Sequence, residues 1–215
     1  KVPTSWTRFR QRMRRCSKVT MSLTEEERIT ETVLAVIDLK NLVDGFVSGP
    51  FANDPMLQQT RDHAFQTVVN KTNKMTNFLC HYADLEFKKS KGDNEDFGTI
   101  IGNVMRIYKY LYSSDAFLKM YQKLLTMRIL NDQFKNRDYE IELINKLKSE
   151  SGASALTKIT TMISDIDLSD KFNNENVVNR HDLNELFTFR VTLLTSGSWP
   201  ITDHKSGRKL VPKQL

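Results

Sequence analysis

The side chains that could carry chemistry are few and scattered along the 215-residue chain. They are four histidines and two cysteines: His63, His81, His181, His204, Cys16 and Cys80. Only Cys80 and His81 are neighbours, and adjacent residues of a helix point about 100° apart, so they cannot both face one metal or substrate. No Cys/His spacing fits a zinc site. We therefore expect no metal and no cofactor, with Cys80 and His81 serving as packing and surface residues.

The sequence also lacks the motifs of common catalytic sites. It contains neither a glycine-rich phosphate loop nor a GxSxG nucleophile elbow. The acidic cluster Asp165, Asp167 and Asp170 has the alternate spacing of a calcium loop, but the required Gly and Glu are missing. We interpret it as a solvated helix end. Phe117 and Tyr121, four residues apart on an apolar face, are expected in the core. The sequence thus predicts no catalytic residue and a protein that is not an enzyme.

The positive charge of the chain is concentrated at one end. Residues 1–20 contain seven Lys or Arg and no acid, whereas the rest has 25 basic and 26 acidic side chains. Such a segment could bind a phosphate backbone, with Trp6 and Phe9 as stacking groups. Nothing further along the chain continues the basic patch. We therefore expect residues 1–21 to be a disordered leader, and nucleic-acid binding through these residues is the weaker alternative. No run is long and apolar enough to suggest a membrane partner.

Helical patterns fill most of the chain and must position any site. Thr24 and Glu27 form a predicted capping box, and Asp54 with Pro55 predicts a second helix start. Further apolar stripes predict helices up to about residue 170. From Phe187 to Thr195 the apolar residues alternate with others, which predicts a β-strand. We expect a mainly α fold: a helical bundle, then a short, incomplete α/β portion with at least one β-strand near the C-terminus.

Four segments resemble the cullin family, in the order that the family has them. They are LKMYQKLLTMRIL (118–130), INKLKSESGASALTKITTMISDIDLS (144–169), LLTSGSWP (193–200) and SGRKL (206–210). The resemblance covers roughly residues 30–210. It implies the end of the last cullin repeat and a helical bundle over residues 22–136, followed by part of the cullin α/β region over residues 137–215.

The resemblance also implies a function. Cullins are scaffolds of ubiquitin ligases, and a RING subunit adds an extended segment to the cullin sheet, where main-chain hydrogen bonds give affinity. The matching residues here are Phe189, Val191, Leu193 and Trp199, which we expect either to contact a RING subunit or to belong to the α/β core. The resemblance further implies other ligase components as partners, ubiquitin-dependent protein catabolism as the process, and a cytoplasmic or nuclear location.

The sequence departs from the family pattern in ways that bear on this expectation. The adaptor-binding repeats and the module with the modifier-accepting lysine are almost wholly missing. Only residues 201–205 stand where cullins have a helix and a further strand, and Val211 with Pro212 replaces the family's Trp. An alternative is therefore a degenerate or regulatory cullin fragment that folds but assembles no ligase.

Overall fold

The computed structural model describes residues 24–72, 74–89, 94–134, 137–177 and 190–201. The chain divides into two compact units, Lys1–Thr157 and Lys158–Leu215. Phe189, the segment 1–21 and the SGRKL motif lie outside the described residues, so the expectations for them stay predictions. The same holds for the predicted domain boundaries at residues 21 and 136.

Seven α-helices occupy most of the described residues. Their bounds are α1 Glu25–Ser48, α2 Pro55–Asn70, α3 Lys74–Lys89, α4 Asn94–Tyr108, α5 Ser114–Leu130, α6 Arg137–Ser151 and α7 Thr157–Phe172. A 3₁₀ turn, Ser154–Leu156, precedes α7, and a π-helical turn, Asn173–Val177, follows it. The mainly helical prediction is confirmed.

The helix starts follow the local sequence. Thr24 accepts a hydrogen bond from the Glu27 N–H while the Glu27 carboxylate accepts one from the Thr24 N–H, so the predicted capping box is present. Asp54 accepts from the N–H groups of Met56 and Leu57 ahead of α2. Gly152 follows α6 with a φ of +83°, a backbone region that favours glycine.

The first unit has a buried charged cluster inside its apolar core. The guanidinium of Arg128 on α5 donates to Asp84 on α3 and to Glu140 on α6, and the Tyr121 hydroxyl donates to Glu140. Arg128 is only 1% exposed. Burial disfavours its charge, but Glu140, Tyr121 and Asp84 together hold the pKa of Arg128 above its usual value. One guanidinium therefore joins three helices.

The other core residues agree with the apolar pattern. Phe117 and Tyr121 are fully buried, as predicted. Their rings also stack, with centroids 6.1 Å apart. The Cys80 thiol is buried and contacts the Phe117 carbonyl oxygen at 3.4 Å. Burial raises the pKa of this thiol, which keeps it protonated and unreactive. The described residues contain no cluster of His, Cys, Asp or Glu that could hold a metal ion.

The second unit corrects the prediction of a β-strand. Residues 190–195, the described part of Phe187–Thr195, form no strand. The alternating pattern predicted an extended backbone, but it could not reveal what that backbone pairs with. Its hydrogen-bond partners here are side chains of α7 and of the turn after it.

Candidate docking segment

The candidate site is the segment 190–201 together with the row of polar side chains that holds it. This polar row consists of Asp165 and Ser169 on α7 and Asn173 at the start of the turn after it. The three residues are spaced four apart, so their side chains share one face. Ser169 anchors its own side chain by donating to the Asp165 carbonyl oxygen at 2.7 Å. The row therefore presents polar atoms at intervals of about one helical turn.

Alternate residues of the segment bind this row through their backbone. The N–H groups of Val191, Leu193 and Thr195 each donate a hydrogen bond with a donor–acceptor distance of 2.8 Å. Their acceptors, in the same order, are Asn173 Oδ1, Ser169 Oγ and Asp165 Oδ2. Asn173 also donates from Nδ2 to the Val191 carbonyl oxygen at 2.7 Å. We call this set of contacts the clasp.

The clasp forms because two spacings match. Four residues of α-helix rise about 6 Å, and two residues of extended chain advance about 6.6 Å. A helical row of polar side chains can therefore accept hydrogen bonds from the N–H groups of every second residue of an extended segment, as a neighbouring strand would. The order of the partners also fixes the direction, since the segment runs antiparallel to α7.

A turn follows the clasp and directs the chain back toward α7, where the indole of Trp199 contacts the helix. Gly197 has a φ of +80°, and the Ser198 N–H donates to the Thr195 carbonyl oxygen. This turn brings the Trp199 indole N–H to Asp165 Oδ2 at 2.6 Å, while the Thr195 hydroxyl donates to Oδ1 at 2.7 Å. Trp199 is 7% exposed and Asp165 is 6% exposed. The predicted solvated helix end is therefore wrong for Asp165.

The environment of Asp165 keeps it ionised. Burial alone would raise the pKa of this carboxyl group, but the hydrogen bonds from Trp199 and from Thr195 outweigh burial and lower the pKa. A carboxylate accepting from an indole, an amide and a hydroxyl forms charge-assisted bonds, which are stronger than bonds between neutral groups. Asp165 is the strongest anchor of the clasp.

The residues that alternate with those of the clasp direct their backbone N–H and C=O groups away from the polar row. In an extended chain, the N–H and C=O groups of successive residues point to opposite sides. Because the N–H groups of Val191, Leu193 and Thr195 point to the polar row, the backbone N–H and C=O groups of Thr192 and Leu194 point away from it. Both side chains are exposed. The segment therefore has one edge held by the polar row and one outward edge.

The sequence-predicted residues fall into different parts of this arrangement. Val191 and Leu193 are half-buried and are held through their backbone, whereas Trp199 is held through its side chain. Sequence reasoning missed the polar row, although its signal was visible as polar residues at i, i+4 and i+8. That signal was weak because polar residues at this spacing usually mark a solvated helix face.

Comparison with known proteins identifies the family. The family model described as the cullin alpha solenoid domain matches residues 3–173. The chain belongs to the cullin family. It is 29% identical to Cullin-1 of Dictyostelium discoideum over 215 residues, covering 93% of this chain and 27% of that protein. It is 31% identical to Cullin-3B of Arabidopsis thaliana over 176 residues, covering 79% of this chain and 24% of that protein.

Membership of this family confirms the resemblance found in the sequence. The chain spans about a quarter of the length of these curated cullin relatives. The matched region begins at residue 3, so it includes most of the basic segment expected to be a leader. Among the described helices, none combines the length and apolar composition needed to cross a membrane.

Proposed function

We propose that this cullin chain is a non-catalytic scaffold element of a cullin-RING ubiquitin ligase and binds a RING subunit through residues 190–195. It would act in ubiquitin-dependent protein catabolism, in the cytoplasm or nucleus, together with other ligase components. The observation that carries the proposal is the clasp. It holds one edge of the segment and leaves the Thr192 and Leu194 peptides on the outward edge.

An outward edge is a binding site for an extended chain. A partner segment that lies alongside can exchange main-chain hydrogen bonds with Thr192 and Leu194, which gives affinity with little dependence on side chains. Register would come from side chains that alternate across the new pair. Leu194 is 38% exposed and offers apolar surface beside this edge.

The clasp also lowers the cost of binding. Ordering one residue's backbone costs about 1–2 kcal/mol, and a segment that is already extended incurs that cost during folding. Preorganisation of this kind raises affinity without adding contacts. Val191 and Leu193, which we predicted as interaction residues, would then act mainly by holding the edge in place.

The decisive experiment removes one outward donor without touching the clasp. Proline has no N–H, so Thr192→Pro deletes an outward donor but leaves the N–H groups of Val191, Leu193 and Thr195 intact. We expect the full chain to co-purify with a co-expressed RING subunit and Thr192→Pro to bind it at least tenfold more weakly. Isothermal titration or a quantitative pull-down measures this difference.

Thr192→Val is the matched control, because it keeps both the N–H and the branched shape. It should bind like the unmodified chain. The indole N–H resonance of Trp199 reports whether the clasp stays closed in each variant. Equal RING affinity for Thr192→Pro and Thr192→Val would contradict the outward edge as the docking site. A folded chain that binds no RING subunit would instead support the degenerate or regulatory fragment.

A further inference from the structure

A groove of about 620 Å³ runs along one flank of helix α2. Its volume lies within the range of about 300–1,000 Å³ that is usual for ligand-binding clefts. All of its lining residues belong to the first unit, so the groove does not include the clasp. The lining on α2 includes Pro55, Gln58, Asp62 and Gln66, and the opposite wall includes Lys109 and Tyr110, which follow α4.

Polar side chains are spaced four residues apart along this flank, as they are in the polar row of α7. The four are Gln58, Asp62, Gln66 and Asn70, and all of them are half-buried. Residues at this spacing lie on the same side of a helix. From Gln58 to Gln66 the helix rises about 12 Å, and four residues of extended chain advance about 13 Å. The flank therefore matches the repeat of an extended chain.

The last residue of this flank already binds backbone. Asn70 Nδ2 donates to the Tyr110 carbonyl oxygen at 2.6 Å, and Asn70 Oδ1 accepts from the Tyr112 N–H at 2.9 Å. In the clasp, Asn173 likewise binds both the N–H and the C=O of Val191. The chain thus twice uses a side-chain amide to hold non-helical backbone through one donated and one accepted hydrogen bond.

Gln66, one turn before Asn70, carries the same functional group. A primary amide provides two N–H donors and a carbonyl acceptor. Within the described part of the chain, no group is hydrogen-bonded to the Gln66 side-chain amide. At the other end of the flank, Gln58 donates from Nε2 to the Asn53 carbonyl oxygen at 2.8 Å, which fixes its amide. Gln66 can therefore bind one residue of a peptide backbone that lies in the groove.

The two charged side chains of the lining are already paired, which favours an uncharged ligand. Asp62 accepts from Arg61 at 2.9 Å and from the Tyr110 hydroxyl at 2.8 Å. Lys109 pairs with Glu150 at 3.4 Å. Phosphate and carboxylate ligands are held best by charge-assisted bonds from cations, whereas a peptide backbone needs neutral donors and acceptors. The glutamine amides supply both.

We propose that this groove binds an extended, uncharged peptide segment of a partner protein, with the Gln66 amide donating to and accepting from one residue of its backbone. Pro55 and Tyr110 offer apolar surface to a side chain of that segment. The groove is then a docking site on this cullin chain in addition to the edge at residues 190–195. The proposal does not depend on RING binding.

Peptide selection tests this proposal with a defined probe. Short random peptides displayed on phage are selected on the full chain and counter-selected on Gln66→Leu, which keeps the bulk of the side chain but removes its amide. We expect to recover peptides whose synthetic forms bind the full chain at least tenfold more tightly than Gln66→Leu. Methylating single backbone nitrogens of such a peptide should identify a position at which affinity falls at least tenfold, because the backbone carries the recognition.

Gln133→Leu is the matched control, because it makes the same substitution at an exposed glutamine outside the groove. It should bind the peptides like the unmodified chain. Thermal unfolding followed by circular dichroism should be alike in the two variants, since the Gln66 amide has no bond to a described residue to lose.

Three results would overturn the proposal. The first is that counter-selection recovers no peptide, or only peptides that Gln133→Leu weakens equally. The second is binding that tolerates backbone methylation at every position, since recognition would then rest on side chains. The third is a concentration-dependent dimer in sedimentation that Gln66→Leu abolishes, because the groove would then be occupied by a second copy of this chain.

Discussion

The two units each bury a charge, and they stabilise it in opposite ways. In the first unit, Lys1–Thr157, which we call the helical unit, the guanidinium of Arg128 pairs with the carboxylates of Asp84 and Glu140. In the second unit, the donors to Asp165 are neutral: the indole of Trp199 and the amide and hydroxyl of Thr195. One arrangement joins helix to helix, and the other joins a helix to an extended segment.

The difference separates holding a fold together from presenting an edge. An ionic cluster with two buried carboxylates is strongly destabilised by loss of its buried cation, because Glu140 would stay buried without a counter-charge and Asp84 would keep only the partly exposed Lys88. The clasp consists of several separate hydrogen bonds, each contributing about 0.5–1.5 kcal/mol when neutral and about 1.5–3 kcal/mol when charged. It can therefore weaken in steps. We expect damage to the first to unfold the protein and damage to the second to act locally.

Replacing the buried cation should give the largest effect. Arg128→Met keeps most of the apolar stem of the side chain but removes the buried cation that Asp84 and Glu140 share, which leaves Glu140 without its cation and Asp84 with Lys88 alone. We expect a loss of about 3–5 kcal/mol in the free energy of unfolding. Urea denaturation followed by circular dichroism measures it.

Lys88→Met is the control for that loss. Lys88 pairs with the same Asp84 at 2.7 Å, but its side chain is partly exposed at the rim of the cluster. Removing it should cost less than about 1 kcal/mol, because solvent screens such a pair. Similar losses for the two variants would show that the cluster is no more important than a surface ion pair.

The sequence predicted these two regions unequally. Apolar periodicity and caps were enough to predict the helices around Arg128, because helix formation depends on local spacing. The clasp was beyond reach, since Thr195 and Asp165 are thirty residues apart and their pairing depends on tertiary geometry. The pattern at Phe187–Thr195 predicted extended backbone but assigned it to a sheet. Alternation describes the faces of a segment and does not identify its hydrogen-bond partner.

Acid should open the clasp, with an intermediate effect. A free aspartate titrates near about pH 3.9, and the pKa of Asp165 in the folded chain is lowered. The stabilisation is therefore fully present above about pH 4 and is lost as the pH falls through the lower folded value. We expect the Trp199 indole N–H to stay protected from solvent exchange in neutral and weakly acidic solution, and to lose protection well below about pH 4.

Asp165→Asn separates this effect from general acid unfolding. The variant cannot ionise, so the clasp should be weakened at every pH and should show no acid transition of its own. Asp170→Asn is the matched control, because Asp170 is half-exposed and its pair with Arg190 at 3.1 Å is not one of the clasp contacts. Loss of indole protection at the same pH in Asp165→Asn and in the unmodified chain would refute the assignment to Asp165.

The smallest expected effect comes from one substitution made in both units. Gly197 has a φ of +80°, and a side chain in this left-handed region costs roughly 1–2 kcal/mol. Gly98 lies inside α4, where an added Cβ meets no atom within 4 Å. Alanine there should stabilise the helix by about 0.5–1 kcal/mol, because glycine loses more backbone entropy on folding.

The two variants should therefore change different measurements. Gly197→Ala should speed hydrogen exchange at the Trp199 indole without lowering the stability of the helical unit. Gly98→Ala should raise that stability and leave exchange at the indole unchanged. If Gly197→Ala also destabilised the helical unit, the clasp would not be the local device that its separate hydrogen bonds indicate.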